Sequence, residues 1–262
     1  MPTFRFQCPE GPRASLERGK PTVPETKNHL GQAIGEPIQD WVSRPAPPRT
    51  PMEGRWCWLT PLSAAKHAAA LHEAYAQHPN EGNWTYLPYG PFLSADAYAE
   101  WVKSIESCDD PIPFAILSIA ENRPAGVASY LRIDPAQGSI EVGHLNYSPT
   151  LQRTTAATEA MYLMMRRAFD ELGYRRYEWK CDSHNVVSRR AAERLGFRYE
   201  GTFRQAMVMK GRNRNTAWFS IIDREWPAVR AALEQWLDPS NFDGAGHQRQ
   251  RLETFAPKRA SV

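Results

Sequence analysis

Apolar positions recur at helical and strand periods between about residue 53 and residue 238. In the first part of this stretch the pattern predicts a strand at 55 to 59, helices at about 64 to 77 and 94 to 107, and strands at 114 to 120, 125 to 133 and 139 to 147. Ser94 stands where the N-cap of the second helix is expected. The turns between the three later strands have hairpin length.

The second part begins with a long amphipathic helix that follows Tyr147. One stripe of this helix carries Met161, Met164, Met165, Ala168, Phe169 and Leu172. Gly173 stands at the C′ position, where a helix commonly ends. After it the pattern predicts a strand at 174 to 181, a helix at 185 to 195, a strand from Phe197, a basic loop at 210 to 215, a strand at 216 to 222 and a last helix capped by Asp223. The sum is an α/β (α+β) fold, a mixed sheet of about seven strands flanked by helices.

The two ends of the chain lack this periodicity. Residues 1–52 are rich in Pro, Gly and charge and are predicted to form an arm, which could dock on the body through the apolar stretch around Trp41. Residues 53–238 form the predicted folded domain. Residues 239–262 again lose the pattern and are expected to be a tail.

Composition narrows the class of protein. The chain has 262 residues, 42% of them hydrophobic, and a net charge of +3 that is spread along its length, so nucleic acid is not an expected partner. Its four cysteines are far apart, with no CxxC pair and no histidine at metal-ligand spacing, which predicts no metal site and a reduced compartment. We find no apolar run of membrane-spanning length and no secretory signal, and therefore expect a cytoplasmic protein with no membrane partner.

The stretch between the strand ending at Tyr147 and the long helix carries the first chemical signal. It reads "SPTLQRTTAATEA", with small residues at the start of a helix whose first N–H groups have no intrahelical partner. Those amides and the helix dipole favour a bound phosphate. The alternative is that Thr154 or Thr155 only caps the helix.

A second stretch, "CDSHNVVSRRAAERLGF", places Asn185 at a helix start after a strand, Ser188 one turn later and a Gly-Phe pair further on. Together the two stretches resemble the GNAT superfamily of acyl-CoA-dependent N-acetyltransferases, and in particular its ribosomal-protein N-terminal acetyltransferase branch, over about residues 55 to 237. The resemblance implies a mostly antiparallel sheet. It also implies acetyl-CoA as co-substrate and no metal.

The family's pyrophosphate loop, Q/R-x-x-G-x-G/A, corresponds here to "QRTTAA". Thr155 replaces its first glycine, so this loop must bind phosphate without a left-handed turn at that position. By this resemblance the cofactor is bound by the strand segment Leu145, Asn146 and Tyr147, by the loop and helix start Gln152, Arg153, Thr154, Thr155, Ala156, Ala157 and Thr158, and by Asn185.

The resemblance also suggests catalytic roles. Many members place a Tyr seven residues after the Asn as general acid, but this chain has Ala192 there, so Ser188 is the candidate acid, directly or through water held by Asn185. The amine must lose a proton before it attacks, and Glu141 is our candidate base. His144, three residues later, is the alternative base and a candidate residue for binding the acceptor. Residues three apart on a regular strand face opposite sides, so only one of them can face the acceptor unless a bulge intervenes.

Residues 80 to 92 correspond to the loop that commonly lines the acceptor slot in this superfamily. Trp84, Tyr86 and Tyr89, with Phe92, could form an aromatic wall there, or could pack the loop onto the sheet. The basic loop at 210 to 215 could reach over the same cleft.

We therefore expect an enzyme that transfers acetyl from acetyl-CoA to a primary amine of a small molecule, acting as a monomer or homodimer. The alternatives are a protein N-terminal acetyltransferase and a non-catalytic acyl-CoA-binding protein.

Overall fold

A computed structural model describes residues 26–77 and 81–256. Contacts divide the chain into a unit of residues 1–41 and a unit of residues 42–262. The described part of the first unit carries a single bridge between Lys27 and Ala33, and the Asn28 side chain accepts the N–H groups of Leu30 and Gln32 at 3.0 Å each. Docking of the arm through Trp41 stays a prediction.

The second unit contains one mixed sheet. Its strands are β1 (Met52–Glu53), β2 (Cys57–Pro61), β3 (Ile112–Ser118), β4 (Arg123–Asp134), β5 (Ser139–Tyr147), β6 (Arg176–Asp182), β7 (Arg198–Met209) and β8 (Arg212–Ile222). They lie in the order β1-β2-β3-β4-β5-β6-β8-β7, and every neighbouring pair is antiparallel except β5 and β6. The predicted fold class is confirmed. The described residues hold eight strands rather than about seven, because the two-residue β1 is too short to leave a pattern.

Among the residues that the structure describes, five helices lie at the predicted places, and a sixth lies in the segment that was predicted to be a tail. They are α1 (Ala64–Ala76), α2 (Ala95–Ile105), α3 (Thr155–Arg166), α4 (Val186–Arg194), α5 (Trp226–Leu237) and the short α6 (Leu252–Phe255), with a π-helical turn at Arg167–Glu171 and 3₁₀ turns at Gly82–Trp84 and Pro239–Asn241. Ser94 caps α2 as predicted, its side chain accepting the N–H of Ala97 at 3.1 Å. Gly173 adopts a φ of 71°, as the C′ position requires.

Two predicted boundaries were wrong. The basic stretch 210–215 is not a loop, because β8 already begins at Arg212, and a tight turn at Lys210 and Gly211, both with positive φ, joins it to β7. Asp223 does not cap the last helix: the N-cap residue of α5 is Glu225, and the Asp223 carboxylate accepts the N–H of Arg224 instead.

Helices cover both faces of the sheet and bury two apolar clusters. On one face α3, the π-helical turn and α5 bury the methionine stripe together with side chains of β5, β6 and β8. On the other face α1 and α2 pack on β3 and β4. Phe242 and Leu252, from the segment predicted as a tail, belong to the first cluster.

Glu159 fixes the first turns of α3 to the β1–β2 hairpin. Its buried carboxylate accepts the backbone N–H groups of Arg55 at 2.8 Å, Trp56 at 2.6 Å and Cys57 at 2.9 Å. Gly54 leaves room for this carboxylate, since a Cβ at residue 54 would lie 2.4 Å from the Glu159 carboxyl carbon and the side chain would have to shift. The start of α3 is therefore tied to the sheet through one side chain.

Candidate active site

The sheet opens between β5 and β6. Residues 139–142 pair with residues 176–179, and the pairing between the two strands ends at Val142 and Trp179. Beyond that point residues 143–147 of β5 have no partner on the β6 side within the described sheet. We call the gap between residues 143–147 and residues 180–182 the opening.

A β-bulge shapes this end of β5. Val127 of β4 pairs with Asn146 and Ser129 pairs with Gly143, so two residues of β5 lie opposite one residue of β4. His144 is one of those two residues and has a φ of 51°. The bulge interrupts the simple alternation of side chains that we expected to separate Glu141 from His144.

Backbone groups of β5 point into the opening. The N–H of Ser148 is bonded to Ala125 of the neighbouring β4 at 2.9 Å. Alternation along the strand therefore directs the N–H and C=O of Tyr147 away from β4. The Tyr147 carbonyl accepts the side-chain N–H of Gln152 at 2.9 Å, which closes the turn that follows. The N–H of Tyr147 faces the gap.

The start of α3 leaves several amides free next to this strand end. Thr154 is the N-cap and its hydroxyl accepts the Ala157 N–H at 3.1 Å. No described residue accepts the N–H groups of Arg153, Thr155 or Ala156. Capping and anion binding are thus not exclusive here, because the cap satisfies one amide and leaves three.

The left-handed residue of this turn is not the one that the family's motif would suggest. Thr155 is the first helical residue, as expected for a β-branched side chain, and the positive φ of 64° falls on Arg153. Thr158 is used internally, since its N–H bonds to the Thr154 carbonyl at 3.4 Å and its hydroxyl accepts from Arg194 of α4 at 3.1 Å.

Ser188 lies across the opening, at the start of α4. Asn185 is the N-cap of this helix, and its side-chain oxygen accepts the Ser188 N–H at 3.0 Å. The Ser188 hydroxyl oxygen accepts a hydrogen bond from the Trp179 indole at 2.9 Å. Because an oxygen lone pair is used in that bond, the hydroxyl proton remains available to another acceptor.

Ala192 on the same helix is completely buried, and its methyl side chain has no proton to donate. The thiol of Cys181 lies near Ser188. Burial raises the pKa of Cys181, and a hydrogen bond from Ser188 acts in the opposite direction.

Glu141 belongs to a chain of buried charges on β5 and β6. Its carboxylate contacts Lys180 at 2.9 Å and Arg132 at 2.8 Å, and Lys180 also contacts Glu178 at 2.7 Å. Burial raises the pKa of Glu141, and the two cations oppose that rise. This carboxyl lies where the two strands are still paired, before the opening begins.

His144 lies within the open part of β5 and packs on the loop from α1 to α2. Its ring is stacked on Tyr89, with centroids 5.5 Å apart and an interplanar angle of 11°, and its Nδ1 is 3.1 Å from the Tyr89 hydroxyl. The pKa of His144 is lowered, mainly by burial and then by Arg132, with Asp110 opposing. A neutral imidazole is therefore favoured near pH 7.

Residues 81–92, which we call the aromatic segment, lie over this part of the sheet; residue 80 is outside the described residues. Trp84 is buried in the α1–α2 cluster, in contact with Tyr75, Tyr89, Tyr98 and Phe92. Two hydrogen bonds connect the segment to other parts of the site, one from the Tyr86 hydroxyl to the His184 carbonyl at 3.2 Å and one from Lys210 to the Trp84 carbonyl at 2.9 Å. The turn between β7 and β8 thus does reach this segment.

Two further features were not identified from the sequence. His184 is exposed and its Nδ1 lies 3.0 Å from a carboxylate oxygen of Asp182, between the end of β6 and Asn185. Asn83 donates a hydrogen bond from its side-chain amide to that of Asn146 at 3.0 Å. The pattern "DSH" at a strand end could have drawn attention to the first pair, but nothing local links residues 83 and 146.

Among residues 26–77 and 81–256, no cluster of His, Cys, Asp and Glu could hold a metal ion. The same residues contain no helix that is both long and apolar enough to cross a membrane.

Comparison with known proteins agrees with this geometry. Residues 57–198 match the family described as an acetyltransferase (GNAT) domain. The crystal structure of a GCN5-related N-acetyltransferase from Brucella melitensis is 48% identical, with a TM-score of 0.82, over 83% of this chain and 99% of that one. A GNAT family structure from Chromobacterium violaceum ATCC 12472 is 42% identical, with a TM-score of 0.70, over 75% and 98% of the two chains. YdaF of Bacillus subtilis (strain 168), which carries a provisional ribosomal N-acetyltransferase name, is 26% identical over 63% of this chain and 91% of its own.

Proposed function

Because the chain belongs to the GNAT acetyltransferase family, we propose that it transfers an acetyl group from acetyl-CoA to a primary amine of a small molecule, by direct attack within a ternary complex. Acetyl-CoA supplies a thioester whose carbonyl carbon is attacked by the amine. The observation that carries the proposal is the opening between β5 and β6, with free backbone amides at one end and Ser188 across from it.

The residues present fit this co-substrate. The free amides of Arg153, Thr155 and Ala156, at the positive end of α3, would hold the diphosphate. Leu145, Asn146 and Tyr147 would lie along the pantetheine arm, with a β5 amide such as that of Tyr147 as donor to the oxyanion. Such a donor contributes about 3 kcal/mol to other acyl transfers.

Ser188 would give its proton to the leaving sulfur. Trp179 holds the hydroxyl oxygen from one side, and Asn185 fixes the first turn of α4 that carries it. The amine nitrogen forms the new bond to the carbonyl carbon as the carbon–sulfur bond breaks, and the thiolate accepts the proton.

Two groups of β5 could take the proton that the amine loses. Glu141 is a stronger base than an exposed carboxylate, because burial raises its pKa, although it is held by two cations. His144 is the more open group and stays neutral because its pKa is lowered. A pH profile of kcat/KM for Glu141→Gln and for His144→Asn would assign the role to the variant whose acidic-limb pKa disappears, because a general base is active only once it is deprotonated.

A protein N-terminal acetyltransferase is the second candidate, favoured by the name of YdaF. Against it, the aromatic segment is hydrogen-bonded both to the turn before α4 and to Lys210, which favours a covered acceptor slot over an open groove.

The test follows release of free thiol from acetyl-CoA with a panel of amines and short peptides. We expect Ser188→Ala to lower kcat at least tenfold with an unchanged Kd for acetyl-CoA, since general acid catalysis typically contributes about 100-fold or more. Ser104→Ala, at an exposed position of α2, is the matched control. A Ser188→Ala enzyme as fast as the parent would remove Ser188 from the mechanism, and acetyl-CoA binding without turnover on any acceptor would favour a non-catalytic protein.

A further inference from the structure

Two buried polar atoms beside the opening lack hydrogen-bond partners among the described residues. They are the side-chain oxygen of Asn83 and the side-chain nitrogen of Asn146. Asn146 is 4% exposed, so its amide is cut off from water as well. A buried polar group without a partner typically costs about 1–3 kcal/mol, so a ligand that bonds to these two atoms would recover that cost.

The two side chains act as a pair. The Asn83 amide nitrogen donates to the Asn146 amide oxygen at 3.0 Å, which leaves the Asn83 oxygen as an acceptor and the Asn146 NH₂ group as a donor without partners among the described residues. Exchanging oxygen and nitrogen in both amides again leaves a donor and an acceptor, with the roles of the two residues exchanged. The assignment below follows the orientation in which Asn83 donates to Asn146.

The pair lies beside the opening, at the end of β5 that is not paired with β6. Asn146 is in β5 between Leu145 and Tyr147, and its backbone carbonyl is held by the Tyr75 hydroxyl at 3.1 Å. Asn83 is in the 3₁₀ turn of the aromatic segment, which packs on the end of β5.

We propose that Asn83 and Asn146 form a recognition subsite for an acceptor that carries a carbonyl group on the carbon next to its amine. The amine N–H would bond to the free Asn83 oxygen, and the carbonyl oxygen would accept from the free Asn146 nitrogen. The subsite rests on the proposed function, and it narrows the acceptor from any small amine to α-amino carbonyl compounds. A site built to bond a polar group discriminates strongly against an analogue that lacks it.

The experiment measures kcat/KM for alaninamide and for isopropylamine, which differ in the carbonyl group. Each is measured with the parent protein, with Asn146→Leu and with Asn146→Asp. The Asp variant keeps the bond from Asn83 and replaces the free donor by an acceptor. Each amine's own basicity is the same for every protein, so it cancels when the ratio of the two kcat/KM values is compared between proteins.

We expect the preference for alaninamide to fall about tenfold in both variants, as loss of one buried hydrogen bond predicts, with an unchanged Kd for acetyl-CoA. Gln235→Leu, on the exposed side of α5, is the control that should leave the preference as it is. An unchanged preference in Asn146→Asp would overturn the subsite, and so would acetyl-CoA binding with no acetylation of alaninamide. Failure of the parent protein to bind acetyl-CoA would instead overturn the proposed function.

Discussion

The two halves of β5 have opposite relations to their surroundings. Residues 139–142 are paired on both sides, and the Glu141 carboxylate among them is neutralised by Lys180 and Arg132. Residues 143–147 are paired on one side only, with a bulge at His144 and a backbone amide facing the opening. We call these the closed half and the open half. The charged groups of the closed half contact one another, whereas in the open half the side-chain nitrogen of Asn146 has no partner among the described residues.

The largest effect is expected in the closed half, on stability. Glu141→Gln removes the charge that Lys180 and Arg132 share, and Lys180 is only 7% exposed. Breaking a buried ion pair from one side typically costs about 3–5 kcal/mol, and the contact that Lys180 keeps with Glu178 should hold the loss near the lower value. Denaturant unfolding measures it.

Glu100→Gln, at an exposed position of α2, is the matched control and should leave the free energy of unfolding unchanged. If Glu141→Gln were as stable as this control, the closed half would not be held by its charges and the contrast between the halves would fail.

The next effect concerns the free backbone N–H groups at the start of α3, which follows the open half of β5. It should appear in the affinity for acetyl-CoA rather than in the stability of the fold. Thr155→Pro removes one free N–H at the first helical position, where proline is tolerated and no intrahelical bond is lost. Thr154 already has the extended backbone that a residue before proline needs. We expect an acetyl-CoA Kd at least tenfold higher, as for the loss of a hydrogen bond to a charged group, and an unchanged Tm.

Ala95→Pro is the matched control, since it makes the same change at the first residue of α2, directly after the N-cap Ser94, whose backbone is also extended. It should alter neither the Kd nor the Tm. An equal Kd in the parent and Thr155→Pro proteins would show that this amide does not face the diphosphate.

The smallest effect is a pH dependence in the open half. The folded-state pKa of His144 is lowered from 6.5, so the neutral ring stabilises the fold above that value and this contribution is lost as the pH falls below it. The pKa of His67 is also lowered, mainly by burial. Asn also tolerates positive φ, so His144→Asn should reduce the loss of stability between pH 7 and pH 5 without abolishing it.

The measurement is the free energy of unfolding at each pH for the parent protein, for His144→Asn, for His67→Asn and for the variant with both changes. Removing both histidines should flatten this part of the profile further than either change alone. If the free energy of unfolding of His144→Asn fell with pH as steeply as that of the parent, protonation of the buried His144 ring would not contribute to the loss of stability.

Local signals predicted much of this structure from the sequence. The methionine stripe of α3, the Ser94 cap and Gly173 each depend on spacing within one helix, and the structure confirms them. The fold class followed because strands and helices alternate at clear periods. These features need no knowledge of which strand lies beside which.

What the sequence did not reveal depends on pairing between distant segments. The bulge at His144 exists only relative to β4, since "SIEVGHLNY" by itself is a regular run. The ion pairs of Glu141 require β6 beside β5, and the partnership of Asn83 with Asn146 requires the aromatic segment to pack on the strand. The polar start of β8 was mistaken for a loop because both sides of that hairpin end face solvent, so no apolar alternation marks it.

The carboxylate of Glu159 has a consequence for how the chain meets its ligand. It holds the amides at residues 55–57 from the second turn of α3, so the helix cannot turn about its axis or slide along the sheet without breaking three hydrogen bonds. The free amides at the N-terminus of that helix are consequently preorganised, because their directions are fixed when the protein folds. A bound anion therefore does not have to order them, which lowers the entropic cost of binding.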